Sequence, residues 1–303
     1  MSSEREKLEE LAARCPEVEL RREEPLSAHT SFRIGGPAEA MAFPKTAGEL
    51  AALLKAARAC EIAPRLLGAG TNVLAPDEGV RGLVICTKDC LLGLRSLGGG
   101  ELAAMAGQTL ASAAVFARDL GLSGLEFAHG IPGTVGGGTY MNAGAYGGEL
   151  AQVAVRTRVL LADGTQKLFC GAEQGFSYRM SAFEKLDCVI VETVFHLTPA
   201  DPEQIRSAMQ ALMQKRRNSQ PLDVPSAGST FKRPAGGYAA ALIDAAGLKG
   251  QGVGDARVSD KHAGFVVNLG AATAKDVRAA MALIQKRVYE TSGITLEPEV
   301  RIW

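Results

Sequence analysis

The sequence predicts a mixed α+β fold in more than one domain, and three observations lead there. Short apolar, strand-like runs alternate with amphipathic helical stretches along the chain, the pattern of α/β and α+β architectures. The 303 residues are enough for two or three compact domains. The composition, 47% apolar and 22% charged, is that of a globular chain able to fill a core.

The elements follow in order. MSSEREKLEELAARC reads as an amphipathic helix with Leu8, Leu11 and Ala12 on one side; it lacks the apolar centre of a secretory signal. AEAMAFP (38–44) reads as a strand. TAGELAALLKAARAC (46–60) reads as a helix, with Thr46 and Glu49 as a capping box and Leu50, Leu53, Leu54 and Ala57 as its apolar face. PRLLG and GLVIC are short strands either side of a loop, and ELAAMAG is another. TLASAAVFARDLG (109–121) is a helix closed by Gly121.

VAVRTRVLLADGTQKLFC is a hairpin turning at Asp163-Gly164, and CVIVETVFHL (188–197) is a strand. PADPEQ marks a boundary, with Asp201 as N-cap and Pro202 opening a helix that runs to about 216. A short helix over about 237–246 and a strand, GFVVNLG, follow. TAKDVRAAMALIQKRVYETSG (273–293) is a helix capped by Thr273 and ended by Gly293, and ITLEPEVRIW is a closing strand.

The 33 basic and 33 acidic side chains cancel, which gives no support to a general nucleic-acid or membrane-surface role. No apolar run reaches the length of a membrane helix. The six cysteines (15, 60, 86, 90, 170, 188) are scattered through a long chain and read as reduced thiols of a cytoplasmic protein. Cys86 and Cys90 lack the His or second Cys pair that a metal site needs, so no metal is expected.

Two glycine-rich loops carry the functional signal. One is GAGTNVL (68–74), after an apolar strand; the other, GIPGTVGGGTYMNAGAYGG (130–148), has eight glycines in nineteen residues and no charge. Ordering so much glycine is costly unless bare backbone is needed. Such loops present several N–H groups in one direction and let a large flat ligand approach closely. The first is not a Rossmann fingerprint: Gly68-Ala69-Gly70 is followed by Val73 where the third glycine belongs, and no helix opens after it.

HTSFRIGGPAEA, LLGAGTNVL, EFAHGIPGTVGGGTYMNAGAYGGEL, FSYRMSAF, PSAGSTFKRPAG and LEPEVRI occur in this order. Together, from about Ser27 to Trp303, they resemble the UDP-N-acetylenolpyruvoylglucosamine reductases, flavoenzymes of bacterial cell-wall precursor synthesis that act in cell shape, the cell cycle and cell division. The resemblance implies a vanillyl-alcohol-oxidase-type (PCMH-type) two-part FAD-binding domain plus a C-terminal α+β substrate domain. It implies an N-terminal helical segment (1–26), FAD-binding subdomains at 27–88 and 89–199, and a substrate domain at 200–303.

Gly68, Ala69, Gly70, Thr71, Asn72, Gly130, Ile131, Pro132, Gly133, Thr134, Gly136, Gly137, Asn142, Gly144 and Ala145 match the FAD wall. By the same resemblance the partners are NADPH and UDP-N-acetylglucosamine enolpyruvate, and the protein is a cytoplasmic monomer. The short VIVETVFHLTPADPEQ leaves no room for the tyrosine-bearing loop that some members insert, which points to the shorter subclass.

The family's reaction delivers hydride to the β-carbon of the enolpyruvyl group and a proton to the α-carbon. It needs a cation or donor at the carboxylate and a placed proton source. By resemblance Ser229 is the proton donor, Arg179 polarises the carboxylate and Glu299 is a second acid–base group. Glu297 and Glu299 are two apart, so strand periodicity puts both on one face and the choice of Glu299 rests on the resemblance. Taken singly, Ser229 would cap a turn, Arg179 would form a surface ion pair and Glu299 would be a solvated strand residue.

Arg216, Arg217, Lys232 and Arg233 are candidates for the diphosphate, although Arg216 and Arg217 also suit a helix C-terminus, and Tyr146 matches a position near the substrate. His29, His129, His196 and His262 read as structural. Two other readings remain: a different oxidoreductase of the same FAD fold, or a non-catalytic flavin or nucleotide-sugar binding protein.

Overall fold

A computed structural model describes residues 3–303. It contains helices α1 (Glu4–Arg14), α2 (Ala47–Ala59), α3 (Leu110–Asp119), α4 (Val135–Tyr140), α5 (Pro202–Ser219), α6 (Ala239–Ala245) and α7 (Ala274–Ser292). One four-stranded sheet runs in the order Glu19–Pro25, Pro37–Phe43, Val80–Cys86, Arg65–Leu67. The chain groups into two compact units, each from three stretches. The first is Met1–Arg22, Ala40–Ala69 and Gly82–Lys215; the second is Glu23–Glu39, Gly70–Arg81 and Arg216–Trp303.

The first unit holds an antiparallel five-stranded sheet in the order Gln166–Cys170, Ala154–Leu161, Cys188–His196, Glu101–Met105, Leu94–Gly98. One core gathers Leu8 and Leu11 of α1, Leu50, Leu53 and Leu54 of α2, and Val159, Ile190 and Phe183 around the sheet. Phe169 meets Phe183 edge to face at 5.3 Å, an arrangement worth about 0.5–1.5 kcal/mol beyond area burial. A second core packs Leu110, Ala113 and Ala117 of α3 against Leu102, Phe195, Ile205 and Met209.

Local signals place these elements. Thr46 accepts the Glu49 N–H at 3.1 Å, but the Glu49 carboxylate reaches one residue further back than a capping box requires, to the Lys45 N–H at 2.8 Å. Gly121 follows α3 at φ +66°. The 161–165 turn closes with Leu161 N–H on the Thr165 carbonyl at 2.8 Å, and the Asp163 carboxylate takes the Thr165 N–H and hydroxyl. The Asp201 carboxylate accepts the Glu203 N–H at the start of α5, which runs three residues past the expected end.

The second unit surrounds α7. Ile284, Met281 and Val288 pack with Phe32, Ile34, Phe231 and Ile243. Thr273 and Asp276 form a complete capping box, and Gly293 ends the helix at φ +71°. The Asp77 carboxylate also accepts the Ala274 and Lys275 N–H groups at 2.7 and 2.9 Å. A three-stranded antiparallel sheet joins Gly252–Val253, Ala256–Val258 and Val266–Asn268.

The expected closing strand over 294–303 is corrected. Only Arg301–Ile302 forms a ladder, parallel to Val73–Leu74. Pro298 has no N–H and interrupts a continuous strand. It is accommodated in an isolated antiparallel bridge with Phe231. That bridge is flanked by Lys232 N–H to the Glu297 carbonyl and Glu299 N–H to the Thr230 carbonyl, each at 2.9 Å.

Candidate active site

In the first unit the long glycine run is fastened to the loop before α3. Leu110 N–H bonds the Gly133 carbonyl (3.1 Å), Val135 N–H the Gln108 carbonyl (2.7 Å) and Gly136 N–H the Ala106 carbonyl (2.8 Å). Thr134 then caps α4 through the Gly137 N–H at 3.2 Å. A Cβ on Gly68 would lie 3.0 Å from the Thr134 hydroxyl, so the first glycine loop touches the second there.

Neighbouring glycines have different reasons to be bare. A Cβ on Gly136 would stand 2.9 Å from the Ala106 Cβ, so protein packing demands glycine. A Cβ on Gly137 would meet only its own cap, Thr134 Oγ1, at 3.4 Å, and Gly137 is exposed without left-handed backbone. Glycine inside a helical turn costs roughly 0.5–1 kcal/mol relative to alanine, and no protein atom of the unit calls for it at Gly137. Uncovered backbone beside a fastened loop fits the wall of a flat cofactor.

Beyond α4, Gly144–Ala145 pairs with Gly148–Glu149 around a two-residue turn. Tyr146 and Gly147 both have positive φ, +54° and +89°, the backbone of a type I′ turn, where Asn or Gly is usual. Tyr146 is exposed. Arg179 sits in a second tight turn, closed by Ser177 N–H to the Met180 carbonyl (3.0 Å) and the reverse bond (3.1 Å). Arg179 is also left-handed, at φ +55°. Its Nη2 donates to the Gly144 carbonyl at 3.0 Å, and its guanidinium lies 5.2 Å from the Tyr178 ring.

Asn142 lies just beyond α4. Its side chain is fully buried; Nδ2 donates to the Ser177 carbonyl at 3.0 Å and Oδ1 accepts the Ala151 N–H at 2.8 Å. Both the carbonyl and the amino group of the side-chain amide are engaged inside the unit. His129, just before Gly130, has a buried Nδ1 with no partner. Burial, followed by the charge of Arg118, holds it below the ordinary histidine range, so the ring is neutral at pH 7.

In the second unit Ser229 follows Gly228, which is at φ +77°. The next residue, Thr230, is anchored by its N–H to the Gly264 carbonyl (2.8 Å) and by its hydroxyl accepting the Val266 N–H (2.9 Å). Glu299 is half-buried, bonded by its N–H to Thr230 and by its carbonyl to Asn72 Nδ2 at 3.2 Å. Glu297, by contrast, is exposed and pairs with Lys232 at 3.4 Å. The structure thus separates two glutamates that periodicity could not.

Among the expected cations, Arg216 is buried while Arg217 and Arg233 are exposed. Arg233 lies 4.7 Å from the Tyr238 ring. Ser31 donates to the Ser226 carbonyl at 2.6 Å, and Lys261 to the Arg217 carbonyl at 2.6 Å. Among the described residues no group of three His, Cys, Asp or Glu could hold a metal ion, and no helix is long and apolar enough to cross a membrane.

The fastened glycine wall lies within residues 38–168, which match the family described as FAD binding domain and place the chain among FAD-binding proteins. Residues 220–303 match the family described as UDP-N-acetylenolpyruvoylglucosamine reductase, C-terminal domain. The chain is 45% identical over 284 residues to UDP-N-acetylenolpyruvoylglucosamine reductase 2 of Symbiobacterium thermophilum, covering 94% of this chain and 92% of that one. It is 42% identical over 287 residues to the reductase of Lactococcus lactis subsp. cremoris, covering 95% of each. The crystal structure of the Thermus caldophilus reductase superposes with a TM-score of 0.79 at 37% identity, covering 94% of this chain and 98% of that one. The chain belongs to the UDP-N-acetylenolpyruvoylglucosamine reductase family and is an FAD-dependent oxidoreductase.

Proposed function

We propose that Arg179, Ser229 and Glu299 carry the chemistry of this reductase, which converts UDP-N-acetylglucosamine enolpyruvate to UDP-N-acetylmuramate for peptidoglycan precursor synthesis. FAD, when bound, supplies hydride to the β-carbon and is replenished by NADPH. Arg179 binds the substrate carboxylate and draws charge out of the conjugated double bond, which lowers the barrier to an enolate-like transition state. Ser229 delivers the proton to the α-carbon; a hydroxyl suffices because the enolate carbon is strongly basic. Glu299 holds the second acid–base position.

The backbone around Gly68, Ala69, Gly70, Thr71 and Asn72, and that of Gly130, Ile131, Pro132, Gly133, Thr134, Gly136, Gly137, Gly144 and Ala145, would hold the cofactor. Tyr146, Arg216, Arg217, Lys232 and Arg233 are assigned to the UDP-sugar. The reading extends to a cytoplasmic monomer of the shorter subclass, serving cell shape and division; only residues 197–201 separate strand Cys188–His196 from α5.

The observation that supports the assignment of Arg179 and Tyr146 is backbone strain. Of seven non-glycine residues with positive φ among those described, Tyr146 and Arg179 fall on positions assigned to substrate, and Asn142 lies beside them. Such conformations cost about 1–3 kcal/mol each and cluster where function needs them. Stopped-flow spectra of the flavin test the roles. Ser229→Ala should slow reoxidation by substrate about 10²- to 10⁴-fold and leave reduction by NADPH near wild type. Unimpaired reoxidation would remove Ser229 from the mechanism.

A further inference from the structure

The segment carrying Arg179 is clamped to the last residue of α4 and the segment after it by three bonds at every second residue. Ser181 Oγ donates to the Tyr140 carbonyl at 2.7 Å, Asn142 Nδ2 to the Ser177 carbonyl at 3.0 Å, and Arg179 Nη2 to the Gly144 carbonyl at 3.0 Å. The amide orientation of Asn142 is fixed by chemistry: the Ala151 N–H can only be met by Oδ1, which leaves Nδ2 for Ser177. The Ser177 carbonyl therefore receives two donors, Asn142 and the turn-closing Met180 N–H.

The same turn is pinned upstream. Gln174, fully buried, accepts from the Thr157 hydroxyl at 2.7 Å and donates to the Ala154 carbonyl at 2.9 Å. Arg179 thus projects from a left-handed turn whose both ends and apex are tied to the rigid sheet and to the 140–144 segment. A flexible arginine would lose rotamer entropy on binding a carboxylate; a turn held in advance removes part of that cost and fixes where the guanidinium points.

We infer that Asn142 and Ser181 are positioning residues of the reduction, acting on the substrate only through Arg179. This rests on the assignment of Arg179 to the substrate carboxylate. Both are buried, at 0% and 3% exposure, and their side chains spend their hydrogen bonds within the unit.

The test is a double-mutant cycle on the FAD-loaded enzyme. Asn142→Gly keeps the left-handed backbone, at φ +44°, while removing the amide. It should retain bound flavin by absorbance and wild-type reduction by NADPH, but slow substrate-driven reoxidation on the order of 10- to 100-fold. In an Arg179→Ala background the same change should cost no further loss, because there is no guanidinium left to misplace. Ser181→Ala, run in parallel, should behave alike and serves where Asn142→Gly fails to hold flavin.

Losses that multiply in the double variants would overturn the inference while leaving Arg179 in its role. Wild-type reoxidation in Arg179→Ala alone would overturn the Arg179 assignment and the inference with it. Flavin loss in both single variants would also overturn it, since the clamp would then serve the cofactor.

Discussion

Replacing Gly137 by alanine separates a folding glycine from a binding glycine. The added methyl meets only Thr134 Oγ1 at 3.4 Å, an ordinary contact. Removing a helical glycine should therefore stabilise the flavin-free protein by about 0.5–1 kcal/mol, raising its Tm by roughly 1–3 °C for a chain of this size. The same methyl projects into the space assigned to FAD. Overpacking there costs about 1–3 kcal/mol, or roughly 5- to 150-fold in Kd.

Thermal unfolding of stripped protein and fluorescence titration with FAD read the two effects independently. Gly136→Ala is the internal contrast, because its methyl falls 2.9 Å from the Ala106 Cβ and should lower the Tm of the stripped protein. Wild-type FAD affinity in Gly137→Ala would refute the cradle at that residue. A fall in stability equal to that of Gly136→Ala would refute the packing argument.

Other outcomes are expected. Tyr146→Asn places a residue suited to a left-handed turn at φ +54°; stability should hold or rise by up to about 1 kcal/mol, while KM for the UDP-sugar rises in steady-state assays. Glu299→Gln should depress turnover and Glu297→Gln should not, because the latter carboxylate is exposed and engaged with Lys232. Backbone and side-chain hydrogen bonds from Thr273 hold the Asp276 carboxyl below its ordinary 3.8. Its contribution to stability is therefore complete above the unfolded value and lost as pH falls through the folded one; Asp276→Asn should flatten the acid limb of a Tm-versus-pH curve in that range.

Much of the architecture was legible because it is local. Thr273 and Gly293 bracket α7, Thr109 and Gly121 bracket α3, and Asp163-Gly164 turns the hairpin, since caps and turns depend on residues within a few positions. The closing strand was misread because alternation does not register that Pro298 cannot join a continuous ladder, nor that Phe231 would supply a bridge that does not need its N–H. Motif order in the chain identified the family, and through it FAD.

What the chain alone determined was composition-level and local: a mixed fold, two glycine loops, the capped helices and the motifs. The tertiary structure decided which of two equivalent glutamates is sheltered, that the Asn142 amide bonds Ser177 and Ala151, and that Arg179 hangs from a clamp spanning residues far apart in sequence. Each of these depends on which distant backbone groups come within hydrogen-bond reach. That is settled only when the cores close, because a carbonyl such as that of Ser177 carries no sequence signal of its own.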